Sequence, residues 1–383
     1  MIKTPSLRIR ILFALVVAVV TATVAGVILE GILRLTDPPQ ARSGPATIVV
    51  SDDLGWDASP SVEVLENRGA GPVVYFAGDS FTHATKWPRH AQALARQHGI
   101  EVQGYNLGVS GYGATQSLLK IQRDFDRHKP SLVLLQIYAW NDLRDDYPYP
   151  GVFYSPERSW RPYFLREGSG FVLHSAPSEG LLSRWFGWSH IYQRVLVRAY
   201  LRTTKILAER DIDRFSRREM AVPVHFAERA AWEPFYLPRT QNRLYVRNAY
   251  ATFEHVLVTL HAYLTARGAT LALLAIGNAF TVDQDVLQAH ASESDFNPTL
   301  PEETIAKIAE RHGILFVSLV EPLRTLAKQR TAKVYNPPPG TLAGHLEPEG
   351  DVVVGRVASE VIVRLFKRDS SGLRSDPPNG HSR

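Results

Sequence analysis

The sequence contains no cysteine among its 383 residues, which excludes disulfide bonds, thiolate metal ligands and a cysteine nucleophile. The HExxH pattern of zinc proteases, the P-loop of nucleotide triphosphatases and the GxGxxG pattern of dinucleotide-binding folds are also missing. No cofactor and no metal is therefore predicted, and any catalysis would come from the side chains. The lack of cysteine does not identify a compartment, because a chain without thiols is compatible with any redox environment.

The formal net charge of +5 is confined to the two ends of the chain. Residues 1–42 carry a net charge of +3 and residues 367–383 a net charge of +2, so residues 43–366 sum to zero. A protein that binds nucleic acid usually presents a basic surface on its folded domain. The neutral central region therefore argues against a nucleic-acid partner.

Long uncharged runs are also scarce, with one near the N-terminus. Residues 11–29 form a stretch of 19 residues without a charged side chain. At 1.5 Å per residue, a helix of this length nearly spans a hydrocarbon core of about 30 Å. Lys3, Arg8 and Arg10 precede the stretch, and the positive-inside rule then places the N-terminus in the cytoplasm.

We therefore predict that residues 1–35 form a cytoplasmic stub and a single transmembrane anchor in the inner (cell) membrane. The rest of the chain would then lie in the periplasm. A cleaved signal peptide is the alternative, but its apolar region is usually only about 7–15 residues long and ends in an Ala-x-Ala-like site. Residues 22–25 (Ala-Thr-Val-Ala) do not have that spacing.

Beyond a linker and lead-in at residues 36–70, strand patterns alternate with helix patterns. The predicted strands cover residues 72–76, 100–105, 131–138, 269–276 and 314–319. The predicted helices cover residues 89–98, 114–127, 244–267, 301–312 and 349–366. This alternation predicts an α/β fold with a doubly wound parallel sheet, in which ligands bind at the carboxyl ends of the strands.

Residues 71–366 are predicted to form one domain, interrupted by an insertion at about 143–243. The insertion contains four of the seven tryptophans and a stretch at 181–218 that looks largely helical. Its aromatic side chains could form a small core of their own, which we favour, or bind sugar rings or lipid headgroups. Residues 367–383 are predicted to be a disordered tail, because residues 369–383 are rich in Ser, Pro, Gly and Asn and lack an apolar period.

Gly78, Asp79 and Ser80 follow the first predicted strand of the sheet and precede a helix. A serine on such a tight turn is exposed, and the N-terminus of the helix offers backbone N–H groups to a developing oxyanion. The motif alone is weak evidence for catalysis, because Asp or Ser at this place also caps helices.

Three further segments follow the same logic. Gly111 lies in a glycine-rich stretch after the second strand, where the backbone can approach a substrate closely. Asn141 follows the third strand and carries an amide that can donate to an oxyanion, and His345 precedes the last helix and could act as a general base. Taken singly, each segment is also compatible with an ordinary loop, a strand-end turn or a structural histidine.

Taken together, the four segments resemble the SGNH (GDSL-type) hydrolase superfamily over residues 70–142 and 244–366. The resemblance implies a flavodoxin-like sheet in a three-layer α/β/α arrangement, bearing a serine hydrolase site. It also implies a role for each matching residue. Ser80 would be the nucleophile and donate its backbone N–H to the oxyanion hole. Gly111 would donate a second N–H and Asn141 its side-chain amide, while His345 would be the base. Apart from the resemblance, Asp79 is a candidate supporting residue beside the nucleophile.

The sequence departs from the family at the residue that orients the base. Members usually carry an Asp two or three residues before the His, but here those places hold Ala343 and Leu342. Three explanations are open. A backbone carbonyl orients His345, leaving a Ser–His dyad; another acid such as Glu347 or Glu349 replaces the Asp; or the site is weakened and the protein only binds.

Other polar residues are weaker candidates. His83 is placed to line the pocket, but it is too close in sequence to Ser80 to take its proton. The acidic cluster of Asp142, Asp145 and Asp146 has no histidine partners, and we expect it to be a solvated loop rather than a metal site.

The sequence therefore predicts a serine-dependent carboxylic ester hydrolase at the cell envelope, acting on an acylated glycan or lipid. One alternative is an O-acyltransferase that passes the acyl group to an envelope polysaccharide. The other is a catalytically weak protein that binds a glycan or a partner.

Overall fold

The computed structural model describes residues 7–36, 47–51, 53–67, 69–146, 161–175, 233–283, 285–287, 295–329, 334–336 and 344–371. Their strands are β1 (Thr47–Ser51), β2 (Gly55–Ser59), β3 (Glu63–Val64), β4 (Val73–Ala77), β5 (Gln103–Asn106), β6 (Leu132–Ile137), β7 (Tyr163–Glu167), β8 (Gly170–His174), β9 (Thr270–Ala275), β10 (Leu315–Ser318), β11 (Tyr335–Asn336) and β12 (His345–Leu346).

The helices of the described residues are α1 (Leu7–Thr36), α2 (Ser80–His83), α3 (Trp87–Gln97), α4 (Ala114–His128), α5 (Ala139–Asp146), α6 (Leu244–Thr265), α7 (Ala279–Val282), α8 (Leu300–Arg311), α9 (Val320–Gln329) and α10 (Pro348–Ser371). Two short 3₁₀ helices, Glu233–Tyr236 and Pro238–Thr240, precede α6.

A six-stranded sheet with the order β10-β9-β6-β4-β5-β3 forms the centre of the molecule. Every neighbouring pair is parallel except the short edge strand β3, which runs antiparallel to β5. The five parallel strands therefore have the order of a flavodoxin-like sheet, with a switch point between β4 and β6. The predicted α/β fold with a mostly parallel sheet is confirmed.

The helices that pack near the sheet form two groups, as a three-layer arrangement requires. In one group α3 contacts α10 and β5, and in the other α6 contacts α4, α5 and β9. Strand β6 lies in the middle of the sheet, and all six of its residues are buried. Five of the six are Leu, Val or Ile, as expected of a strand covered on both faces, and the other is Gln136.

The lead-in at residues 36–70 has more structure than a linker. Strands β1 and β2 pair as an antiparallel hairpin, and Leu54 between them is fully buried. Asp57 of β2 forms ion pairs with Lys120 and Arg123 of α4. The hairpin is held to the domain by side chains that lie over 60 residues away in sequence. The start of the predicted linker, at residues 37–39, lies outside the described residues.

The predicted tail begins too early. Helix α10 continues to Ser371, so residues 367–371 are helical rather than disordered, and the last twelve residues of the chain lie outside the described part.

Little of the predicted insertion belongs to the described residues. Its hairpin β7–β8 packs against α6, where His255 stacks on Phe171 at 4.4 Å between ring centroids and meets the edge of Phe164 at 4.8 Å. The predicted helical stretch 181–218 and the four tryptophans of the insertion lie outside the described residues.

The predicted membrane anchor falls in α1, a helix of 30 residues. Several of its apolar side chains are exposed, among them Phe13, Val27 and Ile28. Within the part of the chain that the structure describes, however, no helix is long and apolar enough for a membrane span, so the predicted transmembrane helix is not supported.

Candidate active site

Ser80 lies on a sharp turn between β4 and α2. The turn requires glycine at position 78, because its φ angle is +145° and a Cβ there would overlap Gln136 Oε1 and come within 2.7 Å of Thr82 Oγ1. Ser80 itself is half-buried at the first position of α2. Within the described residues, neither its hydroxyl nor its backbone N–H takes part in a hydrogen bond, so both are free to meet a substrate.

Asp79 fixes this turn from inside the protein. Its Oδ1 accepts a hydrogen bond from the Phe81 N–H at 2.9 Å and caps α2, and its own N–H donates to Gln136 Oε1 at 3.1 Å. The side chain is buried, which raises the pKa of Asp79 to about 6 despite these hydrogen bonds. Asp79 therefore supports the nucleophile's turn.

The glycine-rich segment continues the pairing of β5 with β4 beyond the strand ends. The Leu107 N–H donates to Phe76 O at 2.7 Å, and the Val109 N–H donates to Gly78 O at 3.1 Å. This brings Gly111, with a φ angle of +81°, to the carboxyl edge of the sheet. No hydrogen bond of the described residues uses the Gly111 N–H, which leaves it available as a donor.

Asn141 lies in the first turn of α5, directly after β6. Its Nδ2 donates to Asp79 Oδ2 at 3.1 Å, which ties the amide to the turn that carries Ser80. An amide nitrogen has two N–H donors, so the second one remains available for an oxyanion.

His345 lies on β12, which pairs with β11, and its ring packs against Phe81 with 5.2 Å between the centroids. His345 is exposed by surface area, but desolvation by the residues around its ring lowers its pKa, while the negative charge of Asp351 acts in the opposite direction. The lowered pKa favours the neutral imidazole, which is the form that can accept a proton.

Each of the three other segments contacts a residue next to or near Ser80. The glycine-rich segment bonds to Gly78, Asn141 bonds to Asp79, and His345 packs on Phe81. The structure therefore brings together all four predicted segments, which are spread over more than 260 residues of sequence. Their roles in a reaction remain predictions.

No family model matches this sequence, and no curated protein matches it either. Among solved structures, it is similar to an α/β hydrolase from the metagenome of Lake Arreo, with a TM-score of 0.38 and 14% identity over 78% of this chain and 98% of that chain. An acetyl xylan esterase matches with a TM-score of 0.38 and 13% identity over 76% and 99%. A GDSL-like lipase from Bacteroides thetaiotaomicron matches with a TM-score of 0.35 and 13% identity over 76% and 88%. Structural similarities with TM-scores this low do not support a conclusion about the activity of this chain.

Gln136 is part of the site but was not predicted from the sequence. It is a polar residue inside the otherwise apolar strand β6, and its Oε1 accepts hydrogen bonds from the Asp79 N–H and from Thr82 Oγ1, both at 3.1 Å. The interruption of an apolar strand by one polar residue was the available signal, because a buried amide needs partners.

The acidic cluster of Asp142, Asp145 and Asp146 is a correction to the sequence analysis. These residues are buried in α5 instead of forming a solvated loop. Backbone N–H groups and arginines hold them: Asp142 accepts from the Tyr138 N–H at 2.7 Å, and Asp145 pairs with Arg144 at 3.0 Å. Burial raises the pKa of Asp142 well above its usual value and that of Asp146 to about 6.

The remaining candidates lie around this centre. His83 Nδ1 is 2.9 Å from Ser110 Oγ, so His83 contacts the glycine-rich segment. Glu347 donates its backbone N–H to Val334 O at 2.9 Å. The carboxylate whose charge acts on His345 is Asp351, a residue of α10 that the sequence analysis did not consider.

Proposed function

We propose that this chain is a serine-dependent carboxylic ester hydrolase with Ser80 as its nucleophile. The observation that carries the proposal is the convergence on Ser80: Gly78, Asp79 and Phe81 are each held or contacted by a different one of the other three segments. A turn with a purely structural role has no need of unused donors. Here the N–H groups of Ser80 and Gly111 form no hydrogen bond among the described residues.

The arrangement supports a two-step acyl transfer. Ser80 Oγ attacks the ester carbonyl carbon while His345 takes the hydroxyl proton, and the oxyanion that forms accepts hydrogen bonds from Ser80 N–H, Gly111 N–H and the Asn141 amide. The C–O bond to the leaving alkoxide then breaks, and His345 returns the proton to it. Water, activated by the same imidazole, cleaves the acyl-enzyme and releases the acid.

We further propose that the enzyme acts at the cell envelope on an acylated glycan or lipid. What supports this location is the basic N-terminus followed by the uncharged residues 11–29, together with the exposed apolar side chains of α1. A reporter fused after residue 45 should be active outside the cytoplasm. A reporter that is active only in the cytoplasm would contradict the proposed location but would not bear on the proposed hydrolase reaction.

The decisive test of the chemistry is labelling by a fluorophosphonate, which reacts with activated serines. We expect the full chain to be labelled and to hydrolyse an activated acetyl ester, and Ser80→Ala to lose both. Ser318→Ala is the matched control, because Ser318 also lies at the end of a parallel strand but is outside the candidate site. Its Oγ caps the following helix by accepting the Val320 N–H at 3.2 Å. Equal labelling of wild type and Ser80→Ala would refute the proposal.

The same assay separates hydrolysis from transfer. With a soluble polysaccharide present, a hydrolase releases free acid at an unchanged rate. If acylated polysaccharide forms faster than free acid, the activity is an O-acyltransferase. Absence of both labelling and turnover in the wild-type chain would instead indicate a protein that only binds.

A further inference from the structure

The chain folds back on itself immediately after His345. The N–H groups of Gly350 and Asp351 both donate to Glu347 O, at 2.8 and 3.2 Å, which starts α10 one residue after β12. The turn is tight: a Cβ at Gly350 would lie 2.9 Å from Leu346 Cδ2. The first turn of α10 therefore lies against the strand that carries His345.

His345 and Asp351 reach the same short segment of the active site. The His345 ring packs on Phe81, the residue after Ser80, and Asp351 Oδ2 accepts the Lys86 N–H at 2.9 Å. Phe81 and Lys86 are five residues apart and are connected by α2 and the turn after it. Both side chains therefore contact the segment that follows the nucleophile.

The other oxygen of Asp351 lacks a partner. The residue is only 6% exposed, and its Oδ1 is buried without a hydrogen bond to any described residue. An unsatisfied buried acceptor is costly, so a donor is expected at this oxygen. Burial raises the pKa of Asp351, and the positive charges of His90 of α3, Lys86 and His345 act in the opposite direction. Of these, only His345 belongs to the proposed catalytic set.

We propose that Asp351 is the acid that orients His345, so that the residue missing before the histidine is replaced from the first turn of α10. The inference rests on the proposed function. Within the described part of the chain no hydrogen bond joins the two side chains, so the imidazole must turn to bring one ring N–H to the unused Oδ1 of Asp351. The other ring nitrogen is then free to take the proton of Ser80. Its negative charge then stabilises the imidazolium formed in that step. Asp351 is thus a positioning residue, acting on the reaction through His345.

Asp351→Asn tests this with little change of shape, because Asn keeps an acceptor for the Lys86 N–H and loses the charge. We expect kcat to fall about 10²- to 10⁴-fold with KM nearly unchanged, in keeping with the loss of an orienting acid. Glu360→Gln makes the same chemical change at an exposed position of the same helix and should leave kcat unchanged. Equal effects of the two variants would overturn the inference.

An NMR titration of His345, assigned with His345→Gln, gives a readout independent of turnover. In Asp351→Asn the pKa of His345 should fall, because a negative charge that favours the imidazolium has gone. In the wild type the His345 signal should also report the ionisation of Asp351 as a second step at lower pH. This second step needs no variant, so it tests the pair even if Asp351→Asn folds poorly.

The outcomes separate the two proposals. If the wild type is labelled at Ser80 but His345 titrates identically in Asp351→Asn, the proposed function stands and the role of Asp351 fails. If Glu347→Gln shifts the titration instead, the orienting acid is Glu347. If the wild type is not labelled, the proposed function fails, while the titration still reports whether Asp351 and His345 interact.

Discussion

At the scale of single residues, Gln136 of β6 stabilises the turn that carries Ser80. Its amide oxygen receives two hydrogen bonds from the turn that carries Ser80, one from the Asp79 backbone and one from Thr82. The space left for that oxygen is also the reason why position 78 is glycine. The nucleophile's turn is thus held by a neighbouring strand as well as by its own helix.

Gln136→Met should therefore destabilise the protein and lower its activity. The buried Asp79 N–H loses its acceptor, whereas Thr82 Oγ1 keeps Ala77 O at 3.3 Å. We expect the free energy of unfolding to fall by about 2 kcal/mol, measured by urea denaturation. Gln103→Met is the matched control, because Gln103 is only half-buried in β5 and donates one hydrogen bond of 3.3 Å to Gly71 O. A loss no larger than in the control would contradict this role of Gln136.

At the scale of elements, α4 connects the lead-in hairpin to the active-site side of the sheet. Its middle pairs Lys120 with Asp57 of β2 in the protein interior. Its N-terminus is capped by the carboxylate of Asp146 from α5, which accepts the N–H groups of Ala114 at 3.1 Å and Thr115 at 2.8 Å. Two long-range carboxylates thus fix the position of this helix.

Lys120→Met should reduce the free energy of unfolding by about 3 kcal/mol, because it leaves a buried carboxylate without its main partner. The loss is at the low end of the usual range, because Arg123 and Ser61 still bond to Asp57. Replacing both partners, in Asp57→Leu with Lys120→Met, should cost less than Lys120→Met alone. If urea denaturation shows the double variant to be the less stable one, the pair stabilises the fold more than its burial predicts.

The buried Asp146 gives stability a definite pH dependence. Burial raises the pKa of Asp146 from 3.8 to about 6 in the folded state, so folding favours its protonated form. Its contribution to stability is therefore fully present below pH 4 and is lost as the pH rises through about 6. Asparagine at this position does not titrate. From pH 5 to pH 8 the wild type should therefore lose unfolding free energy relative to Asp146→Asn.

At the scale of the whole molecule, the parallel sheet organises everything that could be catalytic. Ser80, Gly111 and Asn141 follow β4, β5 and β6, which are neighbours in the order β6-β4-β5. Parallel strands end at a common edge, and this brings residues 31 and 30 positions apart to one place. The last segment reaches the same edge through β12 and α10.

The interior strands should also be the most stable part of the described structure. In hydrogen exchange followed by mass spectrometry, we expect β4 and β6 to exchange last, because both are paired on two sides and buried. The hairpin β7–β8, with several exposed residues, should exchange much earlier. Comparable protection of β6 and β8 would show that the sheet is not the stable centre of the fold.

Much of the fold could be predicted because its signals are local. The apolar run at 131–138 contains β6 at Leu132–Ile137, and the strand predicted at 269–276 contains β9 at Thr270–Ala275. The lead-in hairpin could not be predicted in the same way, because its stability depends on pairing with Lys120 of α4. The acidic cluster was misjudged for the same reason: its burial depends on arginines and backbone groups that the sequence pattern does not show.

The sequence by itself determined the alternation of strands and helices and the four segments around Ser80, Gly111, Asn141 and His345. These follow from side-chain periodicity, glycine placement and the order of motifs, all of which act over a few residues. The tertiary structure alone decided which polar groups meet. Gln136 Oε1 accepts the Asp79 N–H, and Asp351 Oδ2 accepts the Lys86 N–H, because both contacts depend on how the sheet and α10 are packed.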